Sequence, residues 1–389
     1  MMYKFSDIVE INPKESIPKG KISKKIAMQD LLENSREIKG YVEEEYKSGS
    51  KFRRGDTLFS RITPCLENGK IAQVNILEEG EIAFGSTEFL VFRAKKDLTL
   101  PDYVYHLSKW SYVRESAIKS MTGTSGRQRV QNAIFDEITL NLPSIKKQQI
   151  IVDTLNAFDN KIEVNNKIIA NLEEQAQAVF KSWFIDFEPF QDGEFVESEL
   201  GLIPKEWEIY KLGNFFPIMT GKKNANIASE NGVYPFFTCS QNILYADDFS
   251  FDANAILLAG NGDFNVKRYN GKFEAYQRTY VLIPENENYV GLLYNLIKYY
   301  LPQIVSGYKG SVINYITKGM IEDFKVALPE KIDTSDILKI FNMFEEKILK
   351  SKDENSSLAQ TRDALLPKLM SGEIDVSNIE IDTGEESHV

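Results

Sequence analysis

From Ile151 the apolar residues recur at alternating steps of four and three: Leu155, Phe158, Ile162, then Ile169, Leu172, Ala176, Val179 and Trp183. Only Asn165 interrupts the series, at an in-phase position. A heptad seam sustained this long predicts one long helix that supercoils against a partner, and a polar seam residue fixes register at some cost in stability. Shifting the sequence by 186 positions lays a second stretch on the first without a gap. Leu142-Pro143 falls on Leu328-Pro329, and Ile151, Leu155, Phe158, Ile162 and Leu172 fall on Ile337, Phe341, Phe344, Ile348 and Leu358. Val179 falls on Leu365 and Asn165 on Ser351, polar again. The chain therefore carries its own partner helix, and the helix-pairing seam is expected along these positions.

The flanking stretches read as two globular regions of mixed α and β type. In the first, Gln29–Glu37 predicts a short helix. Short β-type runs follow at 57–59, 71–74 and 88–92, punctuated by Gly55-Asp56, Glu67-Asn68-Gly69 and Glu79-Gly80. Asp102–Ser116 predicts an amphipathic helix, followed by a Gly123-Thr124-Ser125-Gly126 loop. The second region opens on Tyr210-Lys211-Leu212-Gly213-Asn214-Phe215, an echo of Tyr3-Lys4-Phe5-Ser6-Asp7-Ile8. It has β-type runs at 255–258 and 279–283 and a helix over Val290–Leu301, matching the 102–116 helix in place. The expected divisions are a globular domain at 1–141, a helical spacer at 142–190 and a polar linker at 191–206. A second globular domain at 207–327, a second helical spacer at 328–371 and an acidic tail at 372–389 complete them. Shared frame and diverged interiors suggest two readers of different targets.

With 389 residues, two or more domains are expected, and 42% hydrophobic content suffices for ordinary cores. Cys65 and Cys239 lie in different halves and suit a reducing compartment. No run approaches 18 apolar residues and the start lacks a signal-peptide pattern, so a cytoplasmic location without membrane contact is expected. The net charge of −11 argues at first against nucleic acid. It is carried by the helical stretches and the tail, however: residues 1–140 are net +2 and residues 213–327 are net neutral. Basic faces on those regions can still attract phosphate.

Catalytic chemistry has little to draw on. The two histidines, His106 and His388, cannot make a multi-histidine metal site, and no phosphate-binding loop or Cys-x-x-Cys pair is present. Leu258-Ala259-Gly260-Asn261-Gly262-Asp263 has only two glycines and no helical pattern behind it. Binding or scaffolding is favoured over catalysis, with no cofactor and no metal.

The stretches Phe180-Lys181-Ser182-Trp183-Phe184-Ile185-Asp186-Phe187-Glu188-Pro189-Phe190 and Arg362-Asp363-Ala364-Leu365-Leu366-Pro367-Lys368-Leu369-Met370-Ser371-Gly372-Glu373-Ile374 resemble the conserved regions of Type I restriction–modification specificity (S) subunits. Leu58-Phe59-Ser60-Arg61-Ile62-Thr63-Pro64-Cys65-Leu66-Glu67-Asn68-Gly69-Lys70-Ile71-Ala72 and Gly85-Ser86-Thr87-Glu88-Phe89 resemble a recurrent target-recognition-domain type in that family. Gly201-Leu202-Ile203-Pro204-Lys205-Glu206-Trp207 resembles the usual entry to a second such domain. The second copy departs from the pattern after Pro329, where Glu330-Lys331-Ile332-Asp333-Thr334 lacks the glutamines of Gln148-Gln149.

The resemblance implies an α+β fold: two mixed α/β target-recognition domains joined by two long antiparallel coiled-coil helices, with a pseudo-twofold internal repeat. It implies a non-catalytic subunit that reads a bipartite target in double-stranded DNA, one half per domain. Two methyltransferase (M) subunits, and in the full complex two restriction/translocase (R) subunits, would assemble on it. A 40-residue helix is roughly 60 Å long, a ceiling for holding readers over one or two duplex turns of about 34–36 Å each. The rival expectation is a coiled-coil scaffold whose globular ends bind proteins without DNA recognition.

Phosphate contacts supply affinity and base-edge contacts specificity. In the first reader the candidates are Lys51, Arg53, Arg54, Ser60, Arg61, Thr63, Lys70, Ser125, Arg127, Gln128 and Arg129. Arg127, Gln128 and Arg129 follow a Gly-rich loop, and Arg reads guanine while Gln reads adenine. In the second reader they are Lys222, Lys223, Asn261, Asn265, Lys267, Arg268, Lys309, Ser311 and Asn314. Tyr299, Tyr300 and Tyr308 are expected to pack in the core, and Trp183 and Phe184 are candidate partner contacts.

Overall fold

The structure, a computed structural model, describes residues 2–124, 126–229, 231–306, 315–330, 332 and 336–377. It divides into two compact units, residues 1–165 with 354–389, and residues 166–353. Both long helices pass from one unit to the other.

The first unit runs β1 (Met2–Lys4), α1 (Phe5–Ile8), β2 (Val9–Ile11), β3 (Ile22–Ile26), β4 (Val42–Glu45), β5 (Ser50–Arg53), β6 (Thr57–Ser60), β7 (Ile71–Gln73), β8 (Ile82–Gly85) and β9 (Phe89–Ala94). Then follow α2 (Pro101–Lys109), α3 (Ser111–Lys119), α4 (Ile134–Glu137), β10 (Thr139–Asn141) and the start of α5 (Ile145–Phe184). Two four-stranded sheets result, ordered β2-β9-β6-β7 and β4-β3-β8-β5. β6, β7 and the first four residues of β9 are buried throughout, which is why they read as short continuous apolar runs. Phe5, Phe59, Phe92 and Phe135 stack edge to face or tilted at 5.0–6.0 Å at the centre of the core. Ile150, Ile151 and Leu155 of α5, with Leu366, Leu369 and Met370 of the last helix, complete the same core.

The second unit runs from the end of α5 through β11 (Phe195–Ser198), β12 (Gly201–Pro204), β13 (Trp207–Lys211), β14 (Ile218–Thr220), β15 (Tyr234–Phe237), β16 (Leu244–Ala246), β17 (Phe251–Ala259), β18 (Val266–Ala275) and β19 (Thr279–Leu282). Then follow α6 (Val290–Ser306), α7 (Lys318–Glu322), β20 (Lys325–Pro329) and the first half of α8 (Asp336–Ser371). Its main sheet has six strands, β14-β19-β17-β18-β15-β16. That order repeats the first unit's if β17 stands for β5 plus β6 and β18 for β7 plus β8. β3 lies parallel to β8 as β15 lies parallel to β18, while β4 and β16 are antiparallel edges. In the first unit the long strand is broken by a turn at Gly55 (φ +86), where Asp56 accepts the Arg53 N–H at 2.9 Å. Interiors that have diverged in sequence thus keep one topology.

The entry strands repeat as well. Tyr3 faces Leu140 and Tyr210 faces Val326; Lys4 faces Thr139 and Lys211 faces Lys325. Phe5 N–H donates to the Ile138 carbonyl and Leu212 N–H to that of Phe324, both at 2.9 Å.

Within each unit the two long helices lie antiparallel. In the first, Asn165 donates to Glu354 at 2.8 Å and to Asn355 at 2.9 Å, so the polar seam residue is buried with partners across the pair. In the second, Phe180 and Phe184 meet Phe341. Ile151, Leu155, Ile337, Phe341 and Ile348 are buried, and Phe158, Ile162, Leu172, Phe344, Leu358 and Leu365 half-buried. The buried line drifts at the helix ends, taking in Asp159, Phe180 and Phe184 in place of Phe158, Val179 and Trp183, because there each helix packs on its domain as well as on its partner. Gly372 (φ +80) ends α8 with a left-handed residue.

Three local expectations are corrected. The 29–37 stretch makes only one 3₁₀ turn, at Met28–Asp30, because the Asp30 side chain binds Ala27 N–H and Asn34 turns left-handed (φ +55). The 102–116 helix is two helices, broken at Trp110, whose ψ of 129° is extended. Residues 191–206 contain a hairpin, β11 with β12. The departing residues 331 and 333–335, and the tail beyond Ser377, lie outside the described residues.

Candidate nucleic-acid interface

Three segments distant in sequence meet at one end of the β6–β9 pair. Arg61, leaving β6, donates its backbone N–H to the Glu88 carbonyl at 2.9 Å and accepts Val130 N–H at 2.8 Å. Ile62 forms a bridge with Arg129, and Thr63 N–H donates to the Gln128 carbonyl at 3.1 Å. Turns 61–70, 85–89 and 122–130 therefore form one surface, bringing Arg61, Thr63, Arg127, Gln128 and Arg129 together. Arg127 is exposed. Arg129 is 44% exposed and grips Glu88 through Nε at 3.0 Å and Nη2 at 2.6 Å, a hydrogen bond that raises its pKa. Arg61 is half-buried, with Nη2 3.4 Å from the Val130 carbonyl.

Other candidates of this unit serve the fold. Ser60 is fully buried and donates to the Lys70 carbonyl at 2.7 Å, so it is corrected from a phosphate donor to a strand lock. Lys70 is half-buried, its ammonium on the Met28 carbonyl at 3.2 Å. Arg54 donates to the carbonyls of Asn75 and Leu77 and braces that turn. Lys51 lies over the Tyr46 ring, and Arg53 is exposed on β5. Ser125 lies outside the described residues.

The second unit builds the same frame. Gly260 N–H donates to the Arg278 carbonyl at 2.9 Å, and Ile316 N–H donates to the Gly260 carbonyl at 2.7 Å. Asn261 forms a bridge with Tyr315 as Ile62 does with Arg129. Only glycine fits at 260, where a Cβ would stand 2.5 Å from the Arg278 carbonyl oxygen. Lys222 and Lys223 are exposed beside this frame, Lys223 bridging Tyr276.

Arg268 is corrected outright: its side chain is 5% exposed and faces Glu345 of α8 at 3.7 Å, and burial lowers its pKa. Asn265 is buried, donating to the Cys239 carbonyl at 3.0 Å, so it shapes the loop from within. Lys267 is half-buried on the Ser240 carbonyl at 2.6 Å, with burial lowering its pKa. Lys309, Ser311, Asn314 and Tyr308 lie outside the described residues. Tyr299 and Tyr300 pack on Phe180, as expected of core residues. Phe184 is buried at 5% exposure and is corrected from a partner contact, while Trp183 is half-buried against Phe190.

Glu88, Arg278 and Tyr315 were not among the candidates. Tyr315 follows from the 186-residue shift applied to Arg129. Glu88 and Arg278 stand 190 positions apart, and the intervening length change hides their equivalence.

Each domain is also pinned to the helices at matching points. Asn156 donates to Asp102 at 2.7 Å and accepts from His106 Nε2 at 2.8 Å. Asn342, 186 positions on, donates to the Asn288 carbonyl at 2.9 Å and accepts Gly291 N–H at 3.0 Å. Among the described residues no group of three or more His, Cys, Asp or Glu is placed to hold a metal ion, and no helix is long and apolar enough to cross a membrane.

Two domains of one topology, each presenting the same loop frame with different side chains, define a duplicated scaffold. The profile described as the Type I restriction modification DNA specificity domain matches residues 1–174 and 204–359, and the chain belongs to that family. It is 38% identical over 181 residues to the specificity subunit of the Type I restriction enzyme EcoDI from Escherichia coli, a match spanning 45% of this chain and 40% of that protein. With the MjaIX specificity subunit of Methanocaldococcus jannaschii it shares 29% identity over 316 residues, 73% of this chain and 71% of that one. The crystal structure of a Type-I restriction-modification system S subunit from M. genitalium superposes with a TM-score of 0.58 at 17% identity, covering 95% and 96% of the two chains, and shares the fold.

Proposed function

We propose that this chain is the DNA-recognition subunit of a Type I restriction–modification complex, in which each domain reads one half of a bipartite duplex target. The observation that carries the reading is the repeated frame, Arg61–Glu88–Val130 and Gly260–Arg278–Ile316, bearing unlike side chains. One geometry with two sets of contacts suits two different half-sites. The paired helices set the distance between the halves. Methylation and cleavage belong to partner subunits, two methyltransferase subunits and, in the full complex, two restriction/translocase subunits.

Docking of two copies of one partner is supported by equivalent clefts at the helix ends. One, of about 460 Å³, is lined by Pro143, Met370 and Val376, and the other, of about 780 Å³, by Pro329, Trp207 and Phe190. Pro143 and Pro329, and likewise Phe190 and Val376, are related by the 186-residue repeat.

The test is selection from a duplex library with two randomised segments, using the chain co-purified with its methyltransferase subunit. Two short enriched motifs at a fixed separation are expected. One contiguous motif, or no enrichment, overturns the reading.

A further inference from the structure

The repeated frame assigns more than a surface. Its outward positions carry Glu88 and Arg129 in the first unit and Arg278 and Tyr315 in the second. In the first unit Glu88 takes the Nε and Nη2 donors of Arg129. Among the described residues, the edge formed by Nη1 and Nη2 keeps only a 3.5 Å contact to the Arg127 carbonyl. A guanine presents O6 and N7 to two such parallel donors in the major groove. A carboxylate on this surface would repel DNA phosphates if it stood alone; paired this way it holds the guanidinium in one plane.

In the second unit the positions exchange roles. Arg278 occupies the place of Glu88, is exposed, and its guanidinium has no hydrogen bond or ion pair with a described residue. Tyr315 occupies the place of Arg129, is 60% exposed and offers no cation. At this matched pair of positions each unit thus keeps one arginine, moved from one limb of the frame to the other.

We propose that this arginine is the guanine reader of each domain: Arg129 in the first, with Glu88 as its positioning residue, and Arg278 in the second. The proposal rests on the DNA-recognition reading above and names specificity-determining residues for it.

The experiment is the two-segment duplex selection, made with R129A, R129K, R278A, R278K and E88Q chains in complex with the methyltransferase subunit. Arg129 and Arg278 are exposed, Glu88 is half-buried with its carboxylate on Arg129 alone among the described residues, and the contacts that build the frame are backbone contacts, so the variants keep the fold. For R278A, a loss of about tenfold or more in preference for guanine at one position of one half is expected, the other half being unchanged. R129A has the same effect on the other half. The lysine variants do not restore the preference, because an ammonium lacks the planar fork. E88Q weakens the first half's guanine preference without weakening binding to non-preferred DNA, since it removes a negative charge. A uniform fall in affinity across all sequences, with the salt slope reduced by about one, would make these phosphate contacts and overturn the proposal. Unchanged motifs would overturn it too. Failure of the unaltered complex to enrich any motif would instead sink the DNA-recognition reading.

Discussion

Asp159 of α5 accepts a hydrogen bond from the guanidinium of Arg362 of α8 at 2.5 Å, both side chains being at most 5% exposed. The residue 186 positions after Asp159 is Glu345, buried likewise. The position equivalent to Arg362 is Ala176, which cannot neutralise it. Glu345 is matched instead by Arg268, from strand β18, and by Asn295 at 3.0 Å. One buried acid is kept in both copies, with its counter-charge supplied by the partner helix in one and by the sheet in the other.

Arg362→Met should therefore destabilise the first unit by about 3–5 kcal/mol, because Asp159 is left charged and unpaired in the interior. Changing Asp159→Leu at the same time should recover most of the loss, since an apolar pair of similar volume avoids both desolvation costs. Urea unfolding of the single and double variants checks this. A double variant as unstable as the single one would refute the pairing account.

Arg268→Ala should act on stability and not on DNA. Removing the guanidinium leaves Glu345, whose pKa burial already raises, without its cation. A cost of about 3 kcal/mol is expected. At a temperature where the variant is folded, its motif and salt dependence should match the unaltered chain in the duplex selection.

Acid should loosen the first unit through His106. Burial pushes this imidazole down to about 4, and its Nε2–H donates to Asn156 in the neutral form. The unfolded chain, with an ordinary value near 6.5, binds the proton first. The stabilisation is thus complete above about pH 6.5 and is lost as pH falls towards 4, in total on the order of 3 kcal/mol. His106→Gln should flatten that limb of a plot of unfolding midpoint against pH. An unchanged slope would show that other groups carry it.

Adding one heptad to both long helices, at the level of Asn165 and Asn355, should lengthen the spacer between the two enriched motifs by about three base pairs. Seven residues add roughly 10 Å of helix and preserve the seam phase. Adding it to α5 alone should unfold the pairing, since Asn165 would lose its partners. Sequencing of methylated sites reads the spacer, and an unaltered spacer would end the idea that these helices act as a ruler.

Much of this architecture was legible along the chain. The seam from Ile151 to Trp183 and its copy from Ile337 to Leu365 are read directly, because a helix repeats its buried face at fixed short intervals. The buried strands 57–60 and 89–92 announce themselves as apolar runs. The strands Ile22–Ile26 and Val42–Glu45 do not, because their lysines and glutamates pair across the sheet edge, as Lys25 does with Glu44 at 2.8 Å, and so resemble a solvated loop.

By itself the sequence determined the duplication, the two long helices with their polar registry residue, and the mixed α and β character of both domains. Those features are periodic or local, and spacing alone encodes them. Tertiary structure decided that both interiors share one sheet order, that turns 61–70, 85–89 and 122–130 form a single surface, and that Arg268 is spent on Glu345 while Arg278 stands free of described partners. A basic residue looks the same on paper whether it faces solvent or a buried carboxylate. Only contacts between residues tens of positions apart separate the two.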